Sequence, residues 1–63
     1  MANTDAIAII YLARADVSQT VAEWLAERNA LTEDLVGKVR TVLASRARAG
    51  TARKSGKDCW AWV

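Results

Sequence analysis

The sequence predicts a mainly α-helical domain in which three helices are followed by a small β-hairpin. Three observations carry that expectation. Residues 33–48 repeat apolar side chains at helical spacing, Gly50 follows as a stop, and residues 51–63 lead through a basic stretch into Cys59-Trp60-Ala61-Trp62-Val63, which alternates as a strand does. A chain of 63 residues is a single domain, 1–63, close to the lower limit at which one core holds a fold without metals or disulfides. It contains no Phe, so Trp24, Trp60, Trp62 and Tyr11 supply all the large aromatic surface it has to bury.

Asn3 and Thr4 are both N-cap residues, and Asp5 suits the positive end of a helix dipole. Ile7, Ile10 and Tyr11 recur at helical spacing, with Ile9 and Leu12 widening the stripe, so helix 1 is placed at about 5–15. Asp16-Val17-Ser18 interrupts the pattern. Thr20-Val21-Ala22-Glu23 fits a capping box, in which the Thr hydroxyl accepts an orphan helical N–H and the Glu reaches back to the Thr N–H. Helix 2 then covers about 21–28, with Val21, Trp24, Leu25 and the stem of Arg28 on one face. Asn29 is able to turn left-handed at its end, and Thr32 caps helix 3.

Helix 3, at about 33–48, places Leu35, Val36, Val39, Val42 and Leu43 in one arc, the buried side of an amphipathic helix. The opposite arc is centred on Gly37, Thr41, Ala44 and Arg48, flanked by Lys38 and Ser45 on one side and Arg40 on the other. Arg46 falls inside the apolar arc, so either its stem snorkels over the core or the regular helix is ending there. Gly50 takes the left-handed stop that glycine adopts cheaply. The hairpin occupies about 51–63, with Ser55-Gly56 as its two-residue turn and Trp60 and Trp62 on one face of the second strand, at least one of them in the core.

The net charge of +2 conceals a division along the chain. Residues 1–34 carry Arg14 and Arg28 against Asp5, Asp16, Glu23, Glu27, Glu33 and Asp34, a net −4; residues 35–63 carry seven cations against Asp58 alone, a net +6. A partner feels the local potential, so this favours a polyanion at the C-terminal half. A single Cys excludes an internal disulfide and fits a reducing compartment. The run Ala6–Ala13 is too short to span a bilayer and lacks the flanks of a secretion signal, which makes the cytoplasm the expected location and a membrane partner unexpected. Without histidine, a glycine-rich phosphate loop or a nucleophile beside a base, the sequence offers no metal site, no cofactor site and no catalytic site, and an enzyme is not expected.

The stretch Thr20-Val-Ala-Glu-Trp-Leu-Ala-Glu-Arg28, followed by Val39-Arg-Thr-Val-Leu-Ala-Ser-Arg-Ala-Arg-Ala-Gly50-Thr-Ala-Arg-Lys54, resembles the winged helix-turn-helix superfamily of small bacterial and phage regulators. The likeness covers nearly the whole chain. It implies a three-helix winged helix-turn-helix whose third helix and basic wing bind double-stranded DNA in transcription regulation. Carried over by position, Lys38, Thr41, Ser45 and Arg48 are the implied groove contacts, with Arg40 and Arg46 on the flanks, and Arg53, Lys54 and Lys57 are the implied wing contacts. The chain departs from the pattern at Arg46, where a leucine-like residue is usual, and at Glu33-Asp34. Helix-turn-helix proteins present the start of that helix to base edges, where two carboxylates repel phosphates unless they lie outside the groove or accept from cytosine.

A second function class uses the same scaffold: a protein-binding module whose acidic residues Glu23, Glu27, Glu33 and Asp34 capture a basic surface of a host transcription protein. Trp60 and Trp62 add two further expectations, a stacking platform for single-stranded nucleic acid and a homodimer interface. Cys59 is a reactive thiol only if exposed beside Lys57; inert packing is the simpler expectation.

Overall fold

The computed structural model describes residues 3–63. Three helices, α1 (Thr4–Arg14), α2 (Val21–Glu27) and α3 (Glu33–Arg48), are followed by strands β1 (Ala52–Gly56) and β2 (Cys59–Trp62), which pair antiparallel. The fold is mainly helical, as the apolar spacing predicts. No helix among the described residues is long and apolar enough to cross a membrane.

The helix ends follow from local chemistry. Asn3 accepts the Asp5 N–H at the start of α1, and Thr32 accepts the Leu35 N–H at the start of α3. At α2 the capping box is complete: the Glu23 N–H donates to Thr20 Oγ1 at 3.0 Å, and the Thr20 N–H donates to Glu23 Oε1 at 3.1 Å. The Thr20 N–H, and after it the Thr20 hydroxyl, which donates to the same Oε1 at 2.9 Å, hold the Glu23 carboxyl below its usual pKa. Both α2 and α3 finish in the left-handed motif, with Asn29 at φ 55° and Gly50 at φ 84°. In each, the two N–H groups beyond the cap turn back to carbonyls of the last turn: Asn29 to Ala26 and Ala30 to Leu25, Gly50 to Ala47 and Thr51 to Arg46.

The core is a stripe from each helix closed by the hairpin: Ala8, Tyr11 and Leu12 of α1, Val21, Trp24 and Leu25 of α2, Val36, Val39 and Leu43 of α3, and Ala52 and Trp60. Two sequence expectations are corrected here. Helix 1 buries Ala8 and leaves Ile9 and Ile10 exposed, with Ile7 only partly covered. An almost wholly apolar helix has no polar side to fix its rotation, and Tyr11 fixes it instead. Its fully buried hydroxyl donates to the Gln19 carbonyl at 2.6 Å and accepts the Trp60 N–H at 3.2 Å, and its ring meets Trp24 edge-on at 5.6 Å. Burial raises the Tyr11 pKa, so the phenol stays neutral and able to donate.

The second correction is the turn, which is Lys57-Asp58 rather than Ser55-Gly56. Gly56 pairs with Cys59, Lys54 with Trp60, Arg53 with Ala61 and Ala52 with Trp62, and a register shift falls between Lys54 and Gly56. Ser55 is used otherwise, its hydroxyl donating to the Val17 carbonyl at 2.6 Å and tying the hairpin to the loop between α1 and α2.

Candidate nucleic-acid interface

Asp58 explains the position of the turn. It holds a left-handed φ of 58°, a conformation Asp adopts more readily than most residues. Its carbonyl accepts the Val21 N–H at 3.0 Å, and its carboxylate lies 3.5 Å from the Ala22 N–H at the open end of α2. From the other side Arg40 of α3 grips the same carboxylate with two bonds, Nε to Oδ1 at 2.6 Å and Nη2 to Oδ2 at 2.8 Å. The hairpin is thereby fixed to two helices through one side chain. The pair raises the Arg40 pKa further, and this guanidinium is committed to the fold.

Arg14, at the end of α1, is exposed and has no ion pair among the described residues; the remaining cations divide into two groups. Lys38 reaches back to Asp34 at 3.1 Å, an exposed pair one helical turn apart, and Arg28 lies 3.9 Å over the Trp24 ring while donating to the Trp24 carbonyl. Arg46, Arg48, Arg53, Lys54 and Lys57 have no carboxylate within salt-bridge distance among the described residues. All five belong to the end of α3 or to the hairpin, and residues 46–57 contain no acid. Arg48, Arg53, Lys54 and Lys57 are exposed; Lys54 also places its ammonium 5.5 Å from the Trp60 ring. Arg46 continues the helix and snorkels: it is half-buried, and its Nε is covered without a hydrogen-bond partner.

The outward face of α3 is uneven. Thr41 donates to the Gly37 carbonyl within its own helix, and Ser45 is exposed. An open groove of about 570 Å³ runs along Glu33, Asp34, Gly37, Lys38, Thr41 and Val42, with Thr4 of α1 as its far wall. A smaller one of about 360 Å³ continues from Thr41 and Val42 to Ser45 and Arg46, with Asp5 opposite. A Cβ at Gly37 would meet nothing within 4 Å, so internal packing does not call for glycine there. The implied contact residues therefore fall into two sets: Lys38, Arg40 and Thr41 each already hold an intramolecular bond, while Ser45, Arg48, Arg53, Lys54 and Lys57 stand open and Arg46 lies half-covered beside them.

Sequence reasoning passed over Asp58, the only acid in residues 35–63. Its isolation among cations was the available signal. Of the two strand tryptophans, Trp60 is core at 6% exposed and Trp62 remains 44% exposed. Cys59 is buried, its thiol directed to the Lys57 carbonyl and its pKa raised by burial, which makes it unreactive packing. Compared with protein-family models, with curated proteins and with solved structures, the chain shows no match to any of them.

Proposed function

We propose that this protein is a small DNA-binding regulator that grips the phosphate backbone with the hairpin and the last turn of α3. The observation that carries this reading is the run of residues 46–57, in which Arg46, Arg48, Arg53, Lys54 and Lys57 have no ion pair and no acid intervenes. Each cation that meets a phosphate releases condensed counterions, and one already neutralised by a carboxylate gives up that gain. The order of three helices and a basic hairpin agrees with the winged helix-turn-helix resemblance. The acids of the first turn of α3 argue for backbone contacts over base reading by the start of that helix. Binding to random duplex DNA, followed by anisotropy across a salt series, tests the proposal. Five phosphate contacts give a log–log salt slope of about −4 to −5; a flat titration at low salt rejects it.

A second reading, a protein-binding module, is favoured by the groove along α3. Its lining of Gly37, Thr41 and Val42 carries two acids, Glu33 and Asp34, against one cation, Lys38, a setting for a basic partner segment. The double substitution Glu33→Gln, Asp34→Asn separates the two. It relieves repulsion near phosphates and frees Lys38, so nonspecific DNA binding rises if DNA is the ligand; capture of a host protein falls if the acidic groove is the working face.

A further inference from the structure

We propose that Trp62 is a stacking platform for an unpaired base, so that the hairpin also binds single-stranded nucleic acid; this rests on the nucleic-acid reading above. A domain with no Phe and only three tryptophans leaves one of them 44% exposed, while Trp24 and Trp60 are 3% and 6% exposed. Trp62 is therefore the tryptophan whose ring a ligand reaches. It shares a sheet face with Lys54 and Trp60, because Lys54 pairs with Trp60 and Ala52 with Trp62 in the register of the hairpin. Lys54 is thus its diagonal cross-strand neighbour, and Arg53 is adjacent to its pairing partner on the opposite face.

Ala52 and Trp60 turn this face to the core, so Trp62 is a half-exposed ring at its rim with the unpaired Lys54 beside it; a ring that stacks on whichever base is presented and a cation that follows the backbone are the features that hold single strands. A symmetric dimer through the same patch is disfavoured by its charge. An isologous interface through Trp62 would set Lys54 of one copy near the same cation of the other, with no carboxylate of residues 46–57 to separate them.

The test is a fluorescence and anisotropy titration with an oligo-dT of about 15 nucleotides and with a duplex of equal length, for wild type, Trp62→Leu and Trp62→Phe. The expected result is quenching of wild-type emission by oligo-dT. Trp62→Leu should lose about 5- to 100-fold in oligo-dT affinity and change little on duplex, while Trp62→Phe keeps most of the affinity and loses the quenching. Melting curves show whether each variant is folded; should the Leu variant unfold, the quenching difference between wild type and the Phe variant decides. Wild-type oligo-dT affinity in a folded Leu variant, or unquenched emission with oligo-dT bound, overturns the stacking role and leaves the duplex reading standing. A wild-type dimer that dissociates on Trp62→Leu with oligo-dT affinity unchanged overturns it in favour of a subunit interface. Failure of wild type to bind either nucleic acid overturns both proposals.

Discussion

At the start of α3, Glu33 and Asp34 stand in the first turn, Lys38 is bonded to Asp34, and Arg40 is gripped by Asp58; at its end, Arg46 and Arg48 join Arg53, Lys54 and Lys57, none with an ion pair among the described residues. Both ends rest on one buried stripe, Val36, Val39 and Leu43. A count of charges treats their cations alike. An exposed pair such as Lys38 with Asp34 contributes little to stability, yet it neutralises a charge that a polyanion would otherwise meet. The availability of a cation, more than its presence, separates the scaffold end of this helix from the end fitted to bind.

The largest expected effect removes the ground common to both ends. Leu43→Ala empties a fully buried position and should destabilise the domain by about 2–5 kcal/mol, enough to unfold much of so small a protein. Thermal melting reads this, and near-normal melting would mean that the stripe does not carry the two ends.

Next comes the division itself. Replacing Arg53, Lys54 and Lys57 together by Gln should flatten the salt slope of DNA binding by about 2 to 3, close to one released counterion per contact. Lys38→Gln, on the paired end, should leave the slope nearly unchanged. Equal losses in the two variants would erase the distinction between paired and unpaired cations.

Asp58→Asn moves Arg40 from one group to the other. Loss of the two-bond grip should cost about 1–2 kcal/mol, discounted because the Arg40 side chain is 45% exposed. The released guanidinium joins the unpaired cations of the hairpin and the end of α3, so DNA affinity should rise in the folded fraction. Chemical denaturation beside the duplex titration measures both, and lower affinity in a folded variant would place the Asp58 turn itself in the contact.

The smallest effect lies in the scaffold. Thr20→Ala breaks the capping box and should cost about 1 kcal/mol near neutral pH. The Glu23 carboxyl is held below its ordinary value near 4.5, so its contribution is present above that pH and is lost as pH falls through the lowered folded value. The stability gap between wild type and Thr20→Ala should therefore narrow on acidification below about 4.5; a gap that widens there contradicts the capping role of Glu23.

By itself the sequence determined the features that depend on near neighbours. Thr20 with Glu23 and Thr32 mark helix starts because a short polar side chain reaches an N–H two or three residues on. Asn29 and Gly50 mark helix ends because they tolerate a positive φ. The arc holding Val36, Val39 and Leu43 is legible because α3 has a polar side to contrast with it. Tertiary structure decided what lacked such local contrast. The rotation of the apolar helix α1 was set by the Tyr11 hydroxyl, bonded to Gln19 and Trp60. The hairpin turn passed from Ser55-Gly56 to Lys57-Asp58 because Arg40 and the start of α2, 18 and 36 residues away, bind the Asp58 carboxylate. The pairing of Arg40 was decided in the same way, since Asp58 lies beside it only after the hairpin folds back on α3, whereas Lys38 and Asp34 are one helical turn apart. Local propensity acts over a few residues, whereas burial and ion pairing depend on distances that exist only once the chain has closed on itself.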